Sequence, residues 1–138
     1  MRFDELAVGQ RAQVAKAITQ DDIVRFAELT GDDNPVHLDE AVAAQSRFGR
    51  RIAHGMLSAG LISAVLGTKL PGPGVIYLSQ SLRFTRPVHP GDVITATAEL
   101  VELIPAKRRA RLATTCRNQA DEVVLEGEAL VMVPDDSP

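Results

Sequence analysis

The stretch His54-Gly55-Met56-Leu57-Ser58-Ala59-Gly60-Leu61-Ile62-Ser63-Ala64-Val65-Leu66-Gly67-Thr68 is apolar or small at almost every position. It is too long for an ordinary strand and reads as a helix, which Pro71-Gly72-Pro73-Gly74 then ends. A surface helix carries a polar stripe. This one has none, so it is expected to be buried on every side. His54, Lys69 and the interspersed serines and glycines argue against a membrane span and for a core helix.

The rest of the chain must cover that helix. Downstream, residues 75–84, 93–101, 109–117 and 123–133 read as strands, with turns at Pro90-Gly91-Asp92 and Asn118-Gln119-Ala120-Asp121. In the second of these, Ile94, Ala96, Ala98 and Leu100 alternate with Thr95, Thr97 and Glu99, which predicts one buried face. Upstream, a further strand fits residues 10–18. Thr19-Gln20-Asp21-Asp22 resembles a capping box with Asp in place of Glu, and Ile23, Phe26, Ala27 and Thr30 follow at helical spacing up to a stop at Gly31. Asp39 is placed to cap a second short helix over residues 40–46. The pattern is α+β: one long buried helix and a largely antiparallel sheet. One curled sheet leaves a flank of such a helix uncovered, so a second copy of the chain is expected against it, as a homodimer.

A chain of 138 residues suits one domain, taken as 1–138, with about 5–133 ordered and the acidic end 135–138 frayed. A net charge of −3 and an aromatic content of 4% with no Trp argue against nucleic acid and anionic membrane as partners. Cys116 is the lone cysteine, so no internal disulfide forms. With no apolar leader at the start, the expected location is the cytoplasm. The three histidines, His37, His54 and His89, lack ligand-like spacing, so no metal or other cofactor is expected.

The chemistry concentrates in Phe26-Ala-Glu-Leu29-Thr30-Gly31-Asp32-Asp-Asn34-Pro35-Val36-His37. Asp32 and His37 lie five positions apart across an Asn-Pro turn, which can bring a carboxylate and an imidazole to one small volume. Such a pair can polarise a water and move protons near neutral pH. Spacing alone favours a plainer reading, with Asp32 as a turn former and His37 as a satisfied surface histidine. Asn34 reads as a loop-shaping residue, His54 as structural in preference to lining the site, His89 as solvated and Cys116 as a small buried hydrophobe. The basic run Lys107 to Arg111, with Arg83 and Arg86, reads as solvated charge that could meet the phosphates of a ligand.

The same segment resembles the hydratase signature of the MaoC-like, (R)-specific enoyl-CoA hydratase family. The resemblance continues through Ala53-His54-Gly55-Met56, Gly74-Val75-Ile76-Tyr77 and Phe84-x-x-Pro87-Val88-x-x-Gly91-Asp92, and so spans roughly residues 5–133. It implies the hot-dog fold, a sheet wrapped around one long helix and paired into a dimer. It implies reversible syn addition of water to a trans-2-enoyl thioester, giving an (R)-3-hydroxyacyl-CoA. Asp32 and His37 take the family's catalytic positions, and Gly55, at the helix start, matches a donor to the thioester oxygen. Asn34, Ser63 and Leu66 fall on the substrate side, with packing or a bond to a carbonyl one turn back as the plainer reading of Ser63. Leu66, with Leu61 and Val65, suggests a pocket for short acyl chains. A thioesterase of the same fold, a non-catalytic acyl-CoA-binding subunit, and an acyl carrier protein in place of CoA stay open, as does the physiological role, polyester supply included.

Overall fold

In the computed structural model the described residues are 1–134, and the acidic end expected to fray lies outside them. Strands β1 (Arg11–Ala17), β2 (Ile76–Gln80), β3 (Arg83–Phe84), β4 (Val93–Ile104), β5 (Arg109–Arg117) and β6 (Val123–Met132) form one antiparallel sheet. Its order is β1-β4-β5-β6-β2, with β3 also on β6. Helices α1 (Gln20–Thr30), α2 (Pro35–Leu38) and α3 (Glu40–Gln45) lie between β1 and the long helix α4 (Gly55–Thr68), which packs against β4, β1, β5 and β6. This is the hot-dog arrangement.

The alternation expected in β4 holds. Ile94, Ala96, Ala98 and Leu100 are each fully buried, as are Ala110, Leu112 and Cys116 of β5. Their partners on α4 are Ile62, Val65 and Leu66, so the core is the layer between helix and sheet. In the single chain α4 keeps one open flank, as expected where one sheet is its cover. Ser58, Ile62, Val65 and Leu66 are buried, but Gly55, Met56, Gly60 and Ser63 are exposed. Positions 56, 60 and 63 share one face at helical spacing, turned from the core strands β4 and β5 toward the end strand β2.

Local signals explain the element ends. Thr19 caps α1 by accepting from the Asp22 amide at 3.0 Å, and the Asp22 carboxylate accepts from the Thr19 amide at 2.9 Å. Against the opposing effect of burial, the Thr19 amide foremost, with Lys16 Nζ at 3.1 Å, holds the Asp22 carboxyl below its ordinary value. Its contribution to stability is therefore present above the ordinary carboxylate range and lost as pH falls through the lowered value. Gly31 closes α1 at φ +82°, a left-handed position. The expected strand over 75–84 divides into β2 and β3, because Ser81 crosses over Gly127 of β6. A Cβ on Gly127 would lie 1.8 Å from the Ser81 carbonyl oxygen. Gly127→Ala should therefore lower stability by about 3 kcal/mol and Tm by about 10 °C, read by thermal unfolding. β4 runs on to Ile104, past the expected end, through an irregularity between Leu100 and Glu102.

Candidate active site

Pro35 fixes the local geometry here. It cannot continue α1, but it suits the first position of a new helix, and Asn34 caps that helix by accepting from the Val36 amide at 3.2 Å. The expected turn is thus one turn of helix, α2, and Asn34 has the loop-shaping role read from its chemistry. α2 carries His37 inward to 8% exposure, while Asp32, before the cap, stays exposed.

His37 Nδ1 lies 2.7 Å from the carbonyl oxygen of Ile52. A carbonyl can only accept, so Nδ1 carries the hydrogen and the neutral ring keeps its lone pair on Nε2. The Gln20 side chain donates to the His37 carbonyl at 2.9 Å and ties α1 to α2. The Asp32 carboxylate accepts only a long bond, 3.5 Å, from the Asn34 amide, so its oxygens are largely uncommitted.

His54, for which the sequence favours a structural role over lining the site, joins the pair. It is 3% exposed, its ring stacks on His37 with centroids 3.8 Å apart, and its Nε2 lies 2.8 Å from the Asp32 carbonyl oxygen. One donor atom from each of Asp32, His37 and His54 lies within 4.8 Å of the others. The three therefore cluster despite their sequence spacing. The donor types would suit a transition ion, but stacked imidazoles point their lone pairs along their own planes rather than at one centre.

Gly55 follows immediately as the first residue of α4, where an N–H has no partner within the helix. It lines a cavity of about 530 Å³ with Ala53, Met56, Phe84, Arg47 and Arg86. Asp32 and His37 are not on that wall. Pair and cavity meet at the segment 52–55, whose Ile52 carbonyl holds His37 and whose Gly55 faces the cavity. Ser63 lines a second cavity of about 520 Å³ with Ala59, Gly60, Tyr77 and Leu78, and Met56 borders both. Leu66 departs from expectation. It is fully buried in the core, as is Val65, and lines neither cavity. The cavity walls use the small-residue face of α4 instead. That face is visible in the sequence as Met56, Gly60 and Ser63, once it is known which side the sheet takes.

His89 also differs from the solvated reading, with Nδ1 3.1 Å from the Arg51 carbonyl oxygen. Cys116 is buried as expected, and burial pushes its thiol up to about 12, which rules out a thiolate nucleophile. Arg111 is held by Glu102 at 2.9 Å and Glu128 at 3.1 Å, Arg86 by Glu122 at 3.2 Å and Arg83 by Glu126 at 3.8 Å. Arg47, on the cavity wall, lies over the Phe48 ring, 5.9 Å from its centroid.

The model of the MaoC-like domain matches residues 5–124. The chain is 58% identical over 132 residues to a 3-hydroxybutyryl-CoA dehydratase of Methylorubrum extorquens, covering 96% of this chain and 83% of that one. It is 54% identical to an (R)-specific enoyl-CoA hydratase of Rhodospirillum rubrum, covering 96% and 91%. The solved structure of an unliganded R-hydratase of Pseudomonas aeruginosa superposes with a TM-score of 0.93 at 51% identity, covering 99% of this chain and 88% of that one.

Proposed function

Because this chain belongs to the MaoC-like domain family, we propose that it is a hydro-lyase that reversibly adds water to a short trans-2-enoyl-CoA, giving the (R)-3-hydroxyacyl-CoA. The observation that carries this reading is the approach of the Asp32 carboxylate and a His37 ring nitrogen to within 4.8 Å. One water can hydrogen-bond to both at that separation. One group takes a proton from the water as its oxygen bonds to C3. The C2–C3 π electrons move toward the thioester carbonyl, and the other group delivers a proton to C2. The growing charge on the thioester oxygen is met by the Gly55 N–H at the start of α4.

An acyl chain leaving Gly55 along Met56 would reach Ser63, which suits a short substrate. The whole of 5–133 works as one catalytic unit, in the cytoplasm. Among the described residues no helix is long and apolar enough to cross a membrane. A homodimer accounts for the uncovered face of α4. Met56, Ile76, Tyr77 and Leu78 are 53%, 41%, 39% and 40% exposed, and β2 ends the strand order with an open edge.

The test is crotonyl-CoA with the purified chain. Loss of enoyl absorbance without free thiol supports hydration, whereas release of thiol means hydrolysis and defeats the proposal. Gly55→Ala probes the carbonyl site. Its Cβ would stand 2.5 Å from the Phe84 ring, which is half exposed and free to swing aside. Ala keeps the N–H but sets a methyl beside the carbonyl's approach to it, so crotonyl-CoA turnover should fall at least about tenfold through misplacement of the thioester, while Tm changes little.

A further inference from the structure

We infer that His54 is a positioning residue, which sets the Asp32 backbone and the His37 ring against the Gly55 amide. The inference rests on the hydratase reading and adds to it the device that aligns the site.

Three observations converge. First, His54 occupies the N-cap of α4 but makes no side-chain cap bond. Ser, Thr, Asp or Asn there would accept from the first-turn amides. The imidazole turns sideways instead; the Leu57 amide bonds the His54 carbonyl at 3.0 Å, and the ring leaves the Gly55 amide uncapped. Second, Nε2 lies 2.8 Å from the Asp32 carbonyl oxygen, and since a carbonyl only accepts, Nε2–H donates. This bond spans 22 residues and ties the carboxylate-bearing loop to the helix start. Third, the ring is clamped between Phe26, at 4.6 Å between centroids, and His37, at 3.8 Å. One flat side chain therefore touches both members of the pair and precedes the oxyanion donor in the chain.

A packing role alone does not account for His at this position. Among the described residues the buried Nδ1 has no hydrogen-bond partner. Buried polar atoms left unpaired are destabilising, and Phe would fill the same slot without that penalty. What Phe lacks is the donor to Asp32. In the neutral tautomer that this bond requires, Nδ1 bears only a lone pair.

The test compares His54→Phe, which keeps the flat ring and deletes the donor, with His54→Gln, which keeps a donor amide and deletes the ring. Wild-type turnover of crotonyl-CoA is measured alongside; its absence would indict the hydratase reading rather than this inference. The expected result is a kcat at least tenfold lower in His54→Phe with KM within twofold and Tm close to wild type, and partial recovery of kcat in His54→Gln. The carbonyl carbon-13 resonance of Asp32 should move in the Phe variant and move back in the Gln variant. An unchanged kcat in His54→Phe, a Gln variant no more active than Phe, or losses that track Tm would each overturn the inference. Should His54→Phe fail to fold, the donor is structural and the inference also fails.

Discussion

Asp32→Asn is expected to cut turnover of crotonyl-CoA by about a hundred- to ten-thousand-fold, the range over which a positioned acid or base acts. The substitution keeps the shape and removes the negative charge and the proton-accepting oxygen. The local structure has little reason to change. Asp32 is exposed, and its long bond from the Asn34 amide is to Oδ1, an acceptor that Asn retains. The bond from His54 is to the main-chain carbonyl and is indifferent to the side chain. Tm should therefore stay within a few degrees of wild type in a thermal melt, while stopped-flow absorbance reports the loss of rate. Wild-type turnover by Asp32→Asn would remove the carboxylate from the mechanism.

His37 calls for a pair of variants, because its ring does two things. Nδ1 serves the fold, through the 2.7 Å contact with the Ile52 carbonyl, and Nε2 is left for chemistry. His37→Ala deletes both. It leaves a buried carbonyl unpaired and a void beside His54, so it should lose about 2 kcal/mol of stability as well as activity. His37→Asn separates the two roles. The Asn side-chain amide stands near the place of Nδ1 and can donate to Ile52, but nothing replaces Nε2. The expected result is near-native melting for His37→Asn, with turnover reduced about as far as in Asp32→Asn. The double variant with Asp32→Asn should be little worse than either single, since the two act on one water.

The origin of these expectations in the sequence is uneven. The α+β class, the span of α1 from Thr19 to Gly31 and the buried face of β4 follow from capping chemistry and period-two alternation, which are local. The course of α4 was legible but its environment was not. An all-apolar helix says that it needs cover without saying which side the sheet takes, so Leu66 was expected on a pocket wall and lies in the core. The division of β2 from β3 depends on Gly127 meeting Ser81, 46 residues apart in the chain, and no local pattern carries it. Within the site, Asp32 and His37 share one short segment, and a motif made them visible. His54 was the harder case. It reaches the pair only because α4 begins where the Asp32 loop ends in space, a tertiary fact that spacing along the chain does not record.

The central claim is that Asp32 and His37 deliver a water to C3 of an enoyl thioester. Mass analysis of the product formed from crotonyl-CoA in oxygen-18 water tests it most directly. The account predicts (R)-3-hydroxybutyryl-CoA with the heavy oxygen on C3 and the thioester intact. Free CoA, with the heavy oxygen in the carboxylate of crotonate, would contradict it.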